Sequence, residues 1–483
     1  MERGRSHLVH GLFRPVDNAS LVAFRIAFGG LMVIAIARYF AHDWIDEFYV
    51  APRVFFPYPG LEWIVPLPGP AMYGLFAALG VAALCVTLGL YYRVAIAFFC
   101  LGFTYAHLID RTNYLNHYYL VSLLSALMIV LPLHRAGSLD VWRRPALRAA
   151  SAPAWAVWLL RFQLGVVYAF GAVAKLNPDW LYRAQPLRIW LGANLDLPLL
   201  GPWLEQPWVA YACSYAGLLF DAAIVPLLLC RRTRAPAYAA VLGFHLLTGL
   251  LFPIGMFPWL MIGLTPIFFA PDWPRSRRET GVGRRETEVR LPPVFPGRPS
   301  PVSRLPSPIS RLFPVSPRAT PVGRLTPRRR LGMALLAAYA VVQIVVPLRH
   351  LFYAGDLYWS ETGFRFAWQI MVMEKYGRGT LRATDPDSGE SWVINPADYL
   401  TPLQVRMMAT QPDMIRSFAS IVAADLRVRG HARVEVRADI FATLNGRPHR
   451  RLVDPLVDLA RESSDVPSIK LVVPFEPRKE QHS

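Results

Sequence analysis

Of 51 basic residues only four, Lys175, Lys375, Lys470 and Lys479, are lysine, and the first closes an apolar run, "VVYAFGAVAKLNPDW" at 166–180. Such a lysine has two readings. It can snorkel, laying its stem along apolar surface and lifting the ammonium to the headgroups. It can also act as a base, because desolvation strips a proton from lysine and not from arginine. Arginine snorkels equally well, so lysine at this point of an arginine-rich chain suggests titration. His117, in "LIDRTNYLNHYYL", is either part of a hydrogen-bonded helix start beside Asn116 or a proton shuttle and oxyanion donor, since neutral imidazole both gives and accepts. His107 and His134 read as structural, and His245, inside "LGFHLLTGLLF", fits either role. Ionisable groups at membrane depth cost on the order of 2.5–3.5 kcal/mol on insertion scales and tend to face cavities or pathways.

The elements that must position these groups are apolar. The chain has 483 residues, 54% of them hydrophobic, with a mean hydropathy of +0.30. Runs of about 20 apolar residues cross a bilayer as helices. Such runs lie near 20–41, 71–91, 94–110, 117–134, 154–175, 209–230, 236–251, 255–270 and 332–350, which predicts about eight or nine spans. The first has no small-residue cleavage site behind it and reads as a retained span rather than a signal peptide. Cys85, Cys100, Cys213 and Cys230 all fall in these runs. None has disulfide or metal-ligand spacing.

The net charge of +18 is not a nucleic-acid footprint. Its arginines cluster in the N-terminal tail, at 135–148, at 231–234 and at 275–330, which the positive-inside rule assigns to the cytoplasm together with the N-terminus. The loop 42–70, the turn 110–117, Lys175 and the turn 252–257 then share the opposite side. Asp110, Arg111, Asn116, His117 and Lys175 are expected there, facing the polar C-terminal region.

Four parts follow: a helical membrane domain over 1–274, a disordered Pro- and Arg-rich cytoplasmic linker over 275–331, a final transmembrane helix over 332–352, and an extracytoplasmic soluble domain over 353–483. In the last, "GTLRATDPDSGESWVIN" reads as a hairpin, 411–429 as a helix, and "VEVRADIFATLNG" as a strand before an Asn-Gly turn. The fold class is a polytopic α-helical membrane protein with a C-terminal mostly-β or α+β domain.

In order, "LIDRTNYLNHYYL", "AKLNPDW", "FPIGMFPWLMIGLTPIFFAPDWPR", "WSETGFRFAWQIMVM", "GESWVINP" and "DIFATLNGRPHRRLVDPLVDL" resemble segments of the vitamin K-dependent γ-glutamyl carboxylase and its bacterial relatives with an HTTM domain. The likeness covers nearly the whole chain outside the linker. It implies a multi-pass enzyme of a bacterial inner membrane. A reduced vitamin K or menaquinol-type hydroquinone is deprotonated by a lysine and oxidised by O2 to an epoxide through a strongly basic alkoxide, which takes the γ-proton of a peptidyl glutamate so that CO2 can add. The family's lysine matches Lys175 and its Asn-His pair matches Asn116 and His117. Asn116, Asp110 and His245 are expected beside the cofactor, and His117 near the glutamate or the quinol oxygen. Trp359, Phe364 and Trp368 either line the glutamate site or form an interfacial aromatic belt. This chain carries Phe364 where animal enzymes have tyrosine and Ala174 where they have a second lysine. It also lacks cysteines with which to tie the soluble domain to the membrane part.

The resemblance implies a glutamate-containing peptide or protein and membrane lipid as partners, with no nucleic acid and no metal. A quinol epoxidase or oxidase with another acceptor, and a non-catalytic lipid- or partner-binding module, are the alternatives. A mere binder has no need of a titrating lysine. No nucleotide-binding glycine loop, metal-ligand cluster or nucleophile elbow supports ATP, biotin or zinc chemistry.

Overall fold

The computed structural model describes residues 11–198, 200–275, 327–461 and 471–475. Most of the expected linker, 275–331, lies outside them. The N-terminal part is helical: α1 (Ala19–Ala41), α2 (Gly69–Leu88), α3 (Tyr92–Leu108), α4 (Asn116–Val130), α5 (Ala154–Lys175), α6 (Pro207–Leu229), α7 (Arg234–Leu251) and α8 (Phe257–Leu264), with shorter turns between them. A further helix, α9 (Pro327–Leu348), precedes the C-terminal domain.

Among the described residues five helices are long and apolar enough to cross a membrane: α1, α2, α5, α6, and the stretch Arg329–Phe352 that overlaps α9. The runs read at 94–110, 117–134 and 255–270 form the shorter apolar helices Tyr92–Leu108, Asn116–Val130 and Phe257–Phe268. Local chemistry sets several boundaries. Proline occupies the first turn of α2 and α6, where its missing N–H costs nothing. Gly89, at φ +67°, ends α2 in the left-handed conformation. A Cβ there would meet Ser138 and the buried Arg25.

The C-terminal domain is α+β. Strands β1 (Lys375–Thr384), β2 (Ser391–Ile394), β3 (Glu435–Leu444) and β4 (Arg450–Arg451) form one antiparallel sheet in the order β2-β1-β3-β4. The expected hairpin is β1–β2, closing with Thr384 opposite Ser391. The Asn-Gly turn follows β3, with Asn445 and Gly446 both at positive φ. Helix α11 (Pro412–Val428) packs on one face, and α10 (Pro402–Met408) packs against α11. The apolar stripe of α11 (Met414, Ile415, Phe418, Ala419, Val422, Ala423 and Leu426) packs into the same core as Val436, Ala438 and Ile440 of β3.

Polar contacts seat this domain on the helix ends. Thr401 and Gln404 form a capping box at the start of α10. Gln404 Nε2 also donates to Val54 O at 2.7 Å and to Asp110 Oδ2 at 2.9 Å. Asp413 accepts from Arg111 at 2.6 Å and from Arg365 at 2.8 Å. Burial alone would raise the Asp413 carboxyl, but Arg365 and Arg111 outweigh it and hold it well below the usual carboxylate range. On the far side Asp179 accepts from Asn445 at 2.9 Å and from Arg447. The Asp of "AKLNPDW" therefore anchors the Asn-Gly turn.

Candidate active site

Lys175 is the last residue of α5 and is 5% exposed. Its Nζ donates to Asp221 Oδ2 of α6 at 2.7 Å and to Gly171 O at 3.2 Å. Glycine one turn earlier makes room for this pair, because a Cβ on Gly171 would sit 3.0 Å from Asp221 Oδ2. The rest of the motif builds the surroundings. Asn177 caps the helix Pro178–Arg183 by accepting from Trp180 N, and its amide donates to Ala174 O. Trp180, fixed by Nε1 donating to Ser214 O, carries its ring 5.2 Å from the Lys175 ammonium.

Lys175 and Asp221 border a cavity of about 140 Å³ whose other walls are mostly aromatic and aliphatic, among them Phe244, Leu251, Phe252 and Met371. His245 joins it from α7, sharing a 3.1 Å hydrogen bond between its Nε2 and the Tyr168 hydroxyl. Asp221 escaped the sequence reading. Its signal was the cost of a lone acid inside the run 209–230.

His117 and Asn116 border a second, larger cavity of about 950 Å³. They form the first turn of α4, and Asn116 Nδ2 donates to Gln369 O of the C-terminal segment at 3.2 Å. The two cavities share Ile254, Phe257, Ile370 and Met371 as walls. Phe257 stands between the two histidines, its ring 6.5 Å from His117 and 6.0 Å from His245. Lys175 and His117 thus border two cavities that share apolar walls.

Other sequence-selected residues lie elsewhere. Asp110 borders neither cavity. Its carboxylate accepts from the Thr112 amide, the Thr112 hydroxyl and Gln404. Trp359 and Trp368 are almost fully buried. Trp359 sits in the core of the C-terminal domain with Nε1 on Val473 O, and Trp368 packs on Tyr119 at 4.9 Å. Phe364 lies near Tyr358, and none of the three aromatics borders either of these two cavities. Their segment reaches both cavities through Ile370 and Met371 instead. Ala174 is buried in a small cluster with Trp180, Leu251 and Phe252, where a second lysine would be desolvated.

A bundle of apolar helices carrying a polar α+β domain over its buried lysine site defines a multi-pass membrane protein with a C-terminal domain. The HTTM domain family matches residues 13–273, and the family described as vitamin K-dependent gamma-carboxylase, lumenal domain, matches residues 328–478. The chain belongs to the vitamin K-dependent γ-carboxylase family. No solved structure matches it.

Proposed function

We propose that this protein couples oxidation of a reduced vitamin K or menaquinol-type hydroquinone by O2 to addition of CO2 to a peptidyl glutamate. The observation that carries this reading is the pair of adjoining cavities, a small apolar one around Lys175–Asp221 and a larger one around Asn116–His117 whose mostly apolar walls also carry charged and polar side chains. The walls at Lys175 fit a fused aromatic ring with a phenolic hydroxyl: apolar and aromatic faces with a single amine–carboxylate pair among them. Oxidation of the bound hydroquinone by O2 supplies a base stronger than any side chain, which a glutamate γ-proton requires.

Lys175 accepts the hydroquinone proton at Nζ. Asp221, at 2.7 Å, takes the ammonium's own proton first and so frees the lone pair. The resulting ammonium faces the anion it has made, so charge is not stranded in an apolar site. His117 and Asn116 present an imidazole and an amide to the acceptor glutamate. The partition of Ile254, Phe257, Ile370 and Met371 excludes water that would quench a strong base or a carbanion. In this reading the N-terminus is cytoplasmic, and both cavities lie toward the side that carries the C-terminal domain.

The test uses protein in lipid discs with vitamin K hydroquinone, O2, labelled bicarbonate and a short glutamate peptide, reading epoxide and fixed label together. Both products are expected from the wild type and neither from Lys175→Ala. Epoxide without fixed label would support the oxidase with another acceptor. Wild-type epoxide formation by Lys175→Ala would remove the base assignment.

A further inference from the structure

Three charged side chains border the larger cavity: Arg38 of α1, Glu47 of the turn that follows it, and Arg406 of α10. None of them takes part in an ion pair among the described residues. Arg38 is half-buried, its guanidinium 5.1 Å from the Trp44 ring centroid, and its charge acts on His117 and Tyr118. Arg406 is exposed on a helix turn that also lends Leu403 and Met407 to the cavity wall. One arginine thus comes from the helix bundle and one from the C-terminal domain, and together they leave positive charge in excess over Glu47.

A guanidinium is a planar fork that grips a carboxylate with two parallel N–H donors. One held in a partly desolvated cavity without an ion-paired protein acid is stabilised by an anion that arrives from outside. The volume admits a side chain together with its flanking peptide. We propose that Arg38 and Arg406 bind the carboxylates of an acidic peptide in this cavity, Arg38 holding the side-chain carboxylate of the acceptor glutamate beside His117 and Arg406 holding a neighbouring acidic residue nearer the mouth. This rests on the carboxylase reading and extends it to substrate recognition. It also bears on the chemistry. Taking a proton from a carbon next to a free carboxylate would build a dianion, and a guanidinium on that carboxylate offsets the developing charge. The product, with two carboxylates on one carbon, keeps the same partner.

The test is direct binding without hydroquinone or O2, following the anisotropy of a fluorescein-labelled glutamate-rich peptide on the full chain in phosphatidylcholine discs. Arg38→Gln and Arg406→Gln are each expected to weaken binding by about tenfold or more, as for loss of a charged hydrogen bond. Arg38→Lys should recover part of that loss. The same peptide with glutamine for glutamate should bind weakly and ignore the substitutions. Arg406 is exposed, so its variant separates recognition from misfolding. Unchanged affinity in both Gln variants, equal loss for the glutamine peptide, or displacement of the peptide by phosphatidylglycerol in the disc would each overturn the assignment. Peptide binding that depends on the arginines, with no label fixed in the turnover assay, would overturn the carboxylase reading and leave only the recognition of an acidic peptide standing.

Discussion

Lys175 and Lys375 are built almost alike, yet the proposed function gives them different work. Each is buried against one carboxylate, Lys175 on Asp221 at 2.7 Å and Lys375 on Glu361 at 3.1 Å. Each donates to a backbone carbonyl, Gly171 O for the first and Trp359 O for the second. Each also lies over an indole, at 5.2 and 5.6 Å. What separates them is space. Lys175 borders a cavity, whereas Lys375 is enclosed where Trp359 and Glu361 meet the sheet and faces neither cavity. Burial pushes the Glu361 carboxyl up and the Lys375 ammonium down, and their mutual attraction opposes both shifts. The two described lysines therefore share their local partners, and it is the adjoining cavity that singles out Lys175 as the proposed base.

Substitution by arginine sharpens the contrast most. Lys175→Arg keeps the charge beside Asp221 yet cannot give up its proton, so hydroquinone oxidation should fall by about 10²–10⁴-fold while the protein stays folded. Epoxide assay beside size-exclusion chromatography checks both halves. At Lys375 the damage should be to folding. Lys375→Ala strands a buried carboxylate and is expected to cost about 3–5 kcal/mol, with Lys375→Arg losing less, read as denaturant midpoints of the purified protein. Retained stability in Lys375→Ala together with lost epoxidation would make the two lysines functional equivalents and erase the comparison.

Across the partition, His117→Ala should lower glutamate carboxylation by about 10–10²-fold and epoxidation by less. Equal loss of both would move His117 to the hydroquinone side. The smallest effect concerns the seat of the C-terminal domain. Because Asp413 titrates lower when folded, the unfolded chain binds its proton more readily, so this carboxylate stabilises the protein above about pH 4 and ceases to as the pH falls further. Up to about 2 kcal/mol should be lost in that window. Asp413→Asn should flatten that part of the stability profile measured by acid titration.

Much of this was legible in sequence because the signals are local. Apolar runs mark helices whatever they pack against, "DPDSG" and "LNG" mark turns, and Lys175, Asn116, His117 and His245 stand out as polar groups in apolar company; all four border the cavities. Asp221 was not paired with Lys175 in advance, since 46 residues separate them and periodicity carries no information at that range. Asp110 looked like a cofactor ligand but is consumed by its own turn and Gln404. Trp359, Phe364 and Trp368 have the composition of a binding surface, yet packing assigns Trp359 to the core of the C-terminal domain and Trp368 to that of the helix bundle, leaving Ile370 and Met371 to face the cavities.

By itself the sequence determined the helices, the hairpin, the Asn-Gly turn and which side chains are chemically unusual, because hydropathy, turn preference and residue type act over a few neighbours. Only the tertiary structure decided which acid meets which lysine, that one lysine opens on a cavity and the other does not, and that arginines from two domains face the same space. Those outcomes depend on the crossing of helices far apart in the chain and on the seating of a domain over their ends.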